Sequence, residues 1–337
     1  MPKLSQHRKL QFIQLFSLLA AGLLFVSAAN AAPYSVTRYV KIDHQDRSAY
    51  VYDDDFTVLT ANPYVPKTSI EVLPDNEIIW YLGAKIDVVR KNPDSSIDVL
   101  SADPSYYEMN HHLVWVYQSA NKRVTDDCGF NRPLAAGSEL TDMRWPSGYG
   151  YKMQGGVIFP SAWHWENPAN VSTQEDVYIR FIMQLDNSPT GYKDTHVTWI
   201  DTVPCTSAFP VPSGKVEIEG PDYPVIEKSR LVSLMPHLHD HSKKIEFKLN
   251  GEKLRVFTAE NAAIPVAHDD MGDGPVLLHT HAQHLPTEGL TTWSPGAHGP
   301  IMMPGDILNV RSEFRNPHAE TIDNMALGIL IWESLSE

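Results

Sequence analysis

Short runs of β-forming residues, separated by clusters of turn residues, make up most of the sequence. Helical periodicity is hard to find over more than about ten residues, whereas Pro and Gly, with 25 and 19 residues, recur throughout. We predict strands over residues 34–42, 77–80, 113–117, 177–185, 196–203, 215–218, 228–235, 244–249, 254–258, 307–314 and 326–332. Asn250-Gly251 is a two-residue hairpin signal. This pattern predicts an all-β fold of antiparallel β-sandwich (jelly-roll) domains.

The chain of 337 residues is long enough for two domains of ordinary size in tandem. The segment 209–214, Phe-Pro-Val-Pro-Ser-Gly, is rich in turn residues and has no hydrophobic period, so we predict the boundary there. The predicted parts are a leader over residues 1–31, a first jelly roll over 32–208 and a second over 209–337.

The leader has the pattern of a secretory signal peptide. Lys3, Arg8 and Lys9 form a basic start, residues 12–29 are mostly apolar, and Ala29-Asn-Ala31 fits a cleavage site of the A-x-A type. We therefore expect a secreted or periplasmic protein, cleaved near Ala31, with no stable membrane insertion. The formal net charge of −14 argues against nucleic acid as a partner.

The two cysteines, Cys128 and Cys205, are interpreted in the light of this expected export. A cysteine pair in an exported protein is most often a disulfide. Closing a loop of this length would stabilise the fold by about 4–5 kcal/mol on the chain-entropy estimate. Two free buried thiols are the alternative. Two cysteines are too few for an iron–sulfur cluster or a structural zinc site.

Several of the 15 histidines are grouped at the ends of predicted strands. Met235-Pro-His-Leu-His-Asp-His241 lies between the predicted strands 228–235 and 244–249. His237 and His239 are two residues apart, so their side chains point to the same face of an extended backbone and could share one metal ion. The alternative is a polar turn that happens to be rich in histidine.

Three further segments carry candidate ligands. Asn110-His-His112 precedes a predicted strand, and adjacent residues can bind one ion only where a strand starts or bulges. Ala162-Trp-His-Trp-Glu-Asn-Pro168 holds His164 between two tryptophans, and Glu320-Thr-Ile-Asp-Asn-Met325 leads into an apolar strand. Taken singly, each segment has a structural explanation: one buried and one exposed histidine, a packed histidine, and a methionine that fills the core.

In their order along the chain, which begins with Asn110-His-His112 and ends with Met325, the four segments resemble the ligand motifs of the ascorbate-dependent type II copper monooxygenases. These are peptidylglycine α-hydroxylating monooxygenase, dopamine β-monooxygenase and their bacterial relatives. The resemblance spans most of the mature chain, although only the motif segments look alike. It implies two jelly rolls and two coppers per chain across a solvent-filled cleft. The activity that it implies is hydroxylation of a C–H bond of a small substrate with O2 and an external reductant such as ascorbate.

The resemblance also implies a ligand set for each copper. One set would hold the electron-transfer copper: His111, His112 and His164. The other would hold the catalytic copper, which binds oxygen and substrate: His237, His239 and Met325. Imidazoles suit a copper that cycles between both oxidation states, while a thioether favours Cu(I), the state that binds O2.

The chain departs from the peptidylglycine enzymes at the positions that anchor the substrate carboxylate. Those enzymes have an Arg shortly before the His-x-His pair, and an Asn and a Tyr just after the Met. The corresponding residues here are Met235, Leu327 and Ile329, all apolar. A buried carboxylate without a partner would be costly, so the substrate stays open.

A second cluster, Leu277-Leu-His-Thr-His281 with His284 close by, has the same His-x-His spacing. We prefer His237 and His239, because the segment 243–251 resembles the strand and hairpin that follow the family's pair. His279, His281 and His284 are then either an added metal site or part of the cleft wall. The sequence indicates no metal role for the remaining candidates: His241, His268, His298 and His318.

Two other functions remain open. The chain could be a non-enzymatic, extracytoplasmic copper-binding or copper-handling protein, or a β-sandwich binding module with surface zinc. The presence of both ligand sets favours the enzyme, since a simple binder needs one.

Overall fold

The computed structural model describes residues 32–43, 48–56, 71–99, 109–118, 132–137, 142–166, 177–188, 191–205, 209–239, 241–258 and 292–335. The described residues form twenty-one β-strands and one turn of 3-10 helix, Gly296–His298, and they contain no α-helix. The predicted all-β fold is therefore confirmed. The predicted leader lies outside the described residues. In the part that is described, no helix is both long and apolar enough to cross a membrane.

The first ten strands form a single ten-stranded sheet. Strands β1 to β10 are Tyr34–Asp43, Ser48–Tyr52, Glu71–Lys91, Ile97–Val99, Met109–Gln118, Leu134–Gly137, Asp142–Arg144, Tyr149–Glu166, Val177–Asp186 and Lys193–Asp194. The main path runs β2-β1-β9-β3-β8-β5-β6, with β4 and β7 paired to β3 and β10 paired to β8. The β8–β10 pairing is parallel, whereas the strands of the main path pair antiparallel.

The other eleven strands form three smaller sheets. Strands β11 to β21 are His196–Asp201, Phe209–Val211, Gly214–Glu219, Tyr223–Pro224, Ser229–Leu238, Ser242–Leu249, Glu252–Thr258, Ile301–Met302, Ile307–Asn316, Ile322–Asn324 and Ala326–Ser334. The four-stranded sheet β11-β21-β15-β18 is called the central sheet below. Strands β12 and β20 form a two-stranded ribbon, and β13-β19-β16-β17, with β14 beside β19, form a five-stranded sheet.

The central sheet is buried on both faces, because alternate residues of its strands pack into different cores. On β21, Leu327, Ile329 and Ile331 belong to a core shared with β1, β3, β8 and β9, called the first core. Ala326 and Leu330 belong to a core shared with β16, β17 and β19, called the second core. Successive strand residues point to opposite faces. A continuous apolar run such as 326–332 is therefore typical of a strand that is covered on both sides.

Gly328 sets how closely the central sheet and the five-stranded sheet approach each other. A Cβ atom at this position would overlap the ring of Phe247, which is buried in the second core. Glycine therefore fits this position on β21, because any side chain would overlap the Phe247 ring.

The pairing of β11 with β21 joins residues on the two sides of the predicted domain boundary. Strand β11 precedes residue 209, yet it pairs with β21 from His196 opposite Trp332 to Asp201 opposite Leu327. The hydrogen bonding of the central sheet therefore joins residues on both sides of that position. The division into 32–208 and 209–337 stays a prediction.

Strands β3 and β8 are longer than the sequence indicates. Only residues 77–80 of β3, and none of β8, are predicted as strand. The pairing of β3 shifts register between Leu73 and Ile78 and again between Tyr81 and Gly83. Gly83 has a φ of 145°, which favours glycine. Such bulges let a strand continue past residues that would otherwise end it.

A buried carboxylate links the central sheet to the ten-stranded sheet. Glu333 of β21 is 8% exposed. It accepts a hydrogen bond from the hydroxyl of Tyr149 on β8 at 3.1 Å, and its Oε1 lies 2.9 Å from Nζ of Lys193 on β10. Within its own sheet it accepts a hydrogen bond from Nη1 of Arg230 at 3.3 Å. Charged contacts therefore add to the apolar packing between the two layers.

Glu333→Ala should lower the free energy of unfolding by about 1–3 kcal/mol, because the buried Tyr149 hydroxyl and the Arg230 guanidinium lose an acceptor. Urea denaturation measures this change. Lys215→Ala is the control. The Lys215 side chain is 60% exposed and pairs with Glu217 and Glu313 on the five-stranded sheet, so its loss should stay within about 1 kcal/mol. Equal losses in the two variants would contradict the interlayer role of Glu333.

Candidate metal centre

The predicted catalytic ligands lie where β15 ends beside the start of β21. In this ladder His237 is opposite Leu327. Beyond the last paired residues, the backbone N–H of His239 donates a hydrogen bond to the carbonyl oxygen of Met325 at 3.1 Å. The register therefore brings His237, His239 and Met325 to the same end of the central sheet.

The imidazole rings of His237 and His239 lie next to each other. Their centroids are 5.0 Å apart and their planes are nearly perpendicular, at 83°. His239 is 5% exposed, and His237 is half-buried. The two rings are thus adjacent at a strand end, as the spacing of two residues predicts.

Met325 is buried on the same face of the central sheet. It is 8% exposed and belongs to the first core together with Leu327 and Ile329, which follow it at intervals of two residues. Met235, two residues before His237, belongs to the first core as well. Because alternate strand residues share a face, the two imidazoles and the thioether lie on the side of the central sheet that faces the ten-stranded sheet.

The positions that differ from the peptidylglycine enzymes adjoin these ligands. Met235 is opposite Ile329, and Leu327 is opposite His237. All three apolar residues are buried in the first core. At these positions an apolar surface therefore borders the histidines.

Asn324, which the sequence analysis missed, joins the two ligand-bearing segments. Its Oδ1 accepts a hydrogen bond from the backbone N–H of Met325 at 2.8 Å and one from the Ser242 hydroxyl at 3.4 Å. The backbone N–H of Ser242 in turn donates to the carbonyl oxygen of His239 at 3.3 Å. Asn324 and Ser242 are both fully buried. The available signal was a short polar side chain directly before an apolar strand, since such side chains often bond to nearby backbone.

The donor set of this site fits copper. A thioether is a soft ligand that selects Cu(I), and imidazole binds copper in either oxidation state. Ring centroids 5.0 Å apart with nearly perpendicular planes make an edge-to-face contact, so the two imidazoles are near enough to serve one ion. No group of three or more His, Cys, Asp or Glu suited to a metal occurs among the described residues. That finding does not bear on a site of two histidines and a methionine, because the thioether is not one of those four ligand types.

The other predicted ligand set lies on the ten-stranded sheet, where the structure describes the backbone of the three residues. His112 is opposite His164 in the β5–β8 ladder. The register of this ladder shifts between Asn110 and His112, so His111 lies at an irregularity. A bulge is the feature that lets adjacent strand residues serve one site.

Positions 112 and 164 lie on the face of the ten-stranded sheet that covers the first core. Val114, two residues after His112 in a regular part of the ladder, is buried in that core, as is its partner Ala135 on β6. Alternate positions in a strand share a face. The two predicted ligand sets therefore belong to the two layers that enclose the first core. The side chains of His111, His112 and His164 lie outside the described part.

The second histidine cluster of the sequence analysis and one of the two cysteines lie outside the residues that the structure describes. His279, His281, His284 and Cys128 lie outside the described residues, and their roles stay predictions. Cys205 is disulfide-bonded, and no cysteine of the described chain is free. Because Cys128 is not described, its pairing with Cys205 stays a prediction.

His241 and His318, for which the sequence indicates no metal role, form a second pair of rings. Their centroids are 5.1 Å apart, and their planes are at 77°. Burial, with the charges of His318 and Lys243, lowers the pKa of His241 to about 4. The His241 imidazole is therefore neutral at physiological pH.

Comparisons with known proteins identify no family. No protein-family model and no curated protein matches the chain. It is similar to the major capsid protein P2 of bacteriophage PM2, with a TM-score of 0.31 and 9% identity over 91% of this chain and 98% of that chain. It is also similar to N-glycanase F (PNGase F), with a TM-score of 0.35 and 10% identity over 90% of this chain and 96% of that chain. At these TM-scores the similarities assign neither a family nor a function.

Asn324→Ala should lower the free energy of unfolding by about 1–3 kcal/mol, because the buried N–H of Met325 loses its acceptor. Ser242→Ala is the matched control. It removes the long hydrogen bond to the same oxygen and should cost less than about 1 kcal/mol. Urea denaturation of both variants measures the difference. A smaller loss for Asn324→Ala than for Ser242→Ala would contradict the role of Asn324 in holding the start of β21.

Proposed function

We propose that the chain is an exported two-copper monooxygenase that hydroxylates a C–H bond of a small substrate with O2 and a reductant such as ascorbate. The main support is the pair of ligand sets on the two layers that enclose the first core. The second support is the close pair of rings at His237 and His239, together with the hydrogen bond from the backbone N–H of His239 to the carbonyl oxygen of Met325. The order of the motifs along the sequence is the third.

Each set would hold one copper. His111, His112 and His164 would hold the electron-transfer copper, and His237, His239 and Met325 the catalytic copper. When bound, copper would supply the redox chemistry by which one oxygen atom of O2 enters the substrate and the other leaves as water, with two electrons from the reductant and two protons from the reductant and solvent. The backbone contacts of Asn324 would orient Met325 and the turn after His239, because ligands are held best when their supporting hydrogen bonds are fixed.

The residues around His237 indicate what part of a substrate would lie there. Met235, Leu327 and Ile329 are apolar and buried on the same face of the central sheet. They would exclude water and offer no partner to a charged group, and an unpaired buried charge is costly. We therefore propose an apolar C–H-bearing group beside the site, rather than the carboxylate of a peptide.

The burial of the proposed ligands is equally compatible with a second candidate function, copper binding without catalysis. His239 and Met325 are 5% and 8% exposed, which suits a protein that retains copper as well as one that admits a substrate. Copper binding without hydroxylation would leave both ligand sets intact. Ascorbate-dependent O2 uptake across a panel of apolar and amine substrates separates the two functions.

Copper loading, followed by dialysis against a weak chelator, should leave about two coppers per chain, one for each ligand set. Elemental analysis measures the stoichiometry. A double variant, His111→Ala with His112→Ala, should retain about one copper on the same ligand count. The control is His298→Gln, which removes an exposed histidine and should change nothing. One copper per chain, unchanged in the double variant, would contradict two separate sites.

Met325→His tests the thioether directly. The variant should keep its copper, because imidazole is a competent ligand, and should lose most O2 uptake, because a harder donor disfavours Cu(I). X-ray absorption of the reduced protein should show a copper–sulfur contribution in the wild type and none in the variant. Met325→Leu is the control for packing, since it nearly conserves volume and removes the sulfur. A wild-type spectrum without sulfur would overturn the assignment of Met325.

A further inference from the structure

His241 and His318 form a pair of neighbouring rings that belongs to neither of the proposed copper ligand sets. Its ring spacing of 5.1 Å and interplanar angle of 77° are close to the 5.0 Å and 83° of His237 and His239. We propose that His241 and His318 form a further site for a divalent transition-metal ion, with water completing the coordination. Imidazole ligands suit Zn(II) and Cu(II).

Separate backbone contacts hold the two histidines in place. The carbonyl oxygen of His241 accepts a hydrogen bond from the backbone N–H of Arg315 at 2.7 Å. The backbone N–H of His318 donates to Oδ1 of Asn316 at 2.9 Å. Asn316 is buried, and its Nδ2 donates to the carbonyl oxygen of Glu320 at 2.7 Å. The backbone at both histidines is therefore fixed by hydrogen bonds that do not depend on a metal, which favours a preorganised site.

One ring nitrogen of this pair lacks a partner. Nε2 of His241 is buried and has no hydrogen-bond partner within the described part of the chain. Buried polar atoms are normally paired, and an exception calls for an explanation such as a bound ion. Coordination by this nitrogen would satisfy it.

His241 follows the proposed catalytic ligand His239 by two residues, at the point where the chain enters the five-stranded sheet. His237 and His239 lie on the first-core side of the central sheet. His241, with a φ of 59°, lies at the turn before β16, beside β19 of the five-stranded sheet. Lys243 acts electrostatically on His241 and would weaken the binding of a cation. The site should therefore bind metal more weakly than a three-ligand set, and it does not depend on the proposed enzymatic function.

Titration of the metal-free, full-length mature protein with Zn(II) tests the site, with the histidine ring signals followed by NMR. The ring signals of His241 and His318 should shift together and saturate at the same Zn(II) concentration. In His318→Gln the His241 shift should be lost, or should need at least a tenfold higher Zn(II) concentration. His318 is half-exposed, so the variant should fold, and its backbone amide spectrum checks this.

His298→Gln is the matched control, because it removes an exposed histidine and should leave the His241 and His318 shifts unchanged. Two results would overturn the site: neither signal moves at saturating Zn(II), or His241 shifts equally in the wild type and in His318→Gln. Both readouts come from residues outside the proposed copper ligands. A failure here is therefore distinguishable from a failure of the copper assignments.

Discussion

The hydrogen bonding of β21 between β11 and β15 is the constraint on which the rest of the structure depends. This strand has partners on both edges and cores on both faces. Its register with β15 decides which residues face the ten-stranded sheet, and so it decides that Met325 and the two histidines share a face. A slip of one residue would exchange the residues of the two cores and move Met325 to the other side. The same pairing thus specifies the core and the site.

The features that sequence predicts well are local ones. The apolar run 326–332 lies within β21, and Asn250-Gly251 joins β16 to β17 with positive φ at both residues, of 54° and 79°. Turn residues of this kind require φ > 0, so their identity alone indicates the hairpin. The two-residue spacing of His237 and His239 is equally local, and it suffices to put them side by side.

The features that sequence misses depend on contacts between distant segments. The Pro and Gly residues of β3 and β8 obscure the strand pattern in the sequence. The bulges that accommodate such residues are seen only in the pairing with a neighbouring strand. Nothing in residues 196–203 indicates that β11 pairs with the last strand of the chain. The role of Asn324 is apparent only from its hydrogen bond with Ser242, and that of His318 only from its ring contact with His241. Hydrophobic periodicity is a property of a single segment, so it does not predict contacts between distant segments.

Met325 alone separates β20 from β21, two strands that belong to different sheets. β20, which ends at Asn324, pairs with β12, whereas β21, which begins at Ala326, belongs to the central sheet. Any ligand that holds the Met325 side chain would also anchor this junction. By thermodynamic linkage, a ligand that binds only the ordered state stabilises that state. The β12–β20 ribbon, which contributes none of the proposed donors, would in this way be coupled to the affinity of the proposed site.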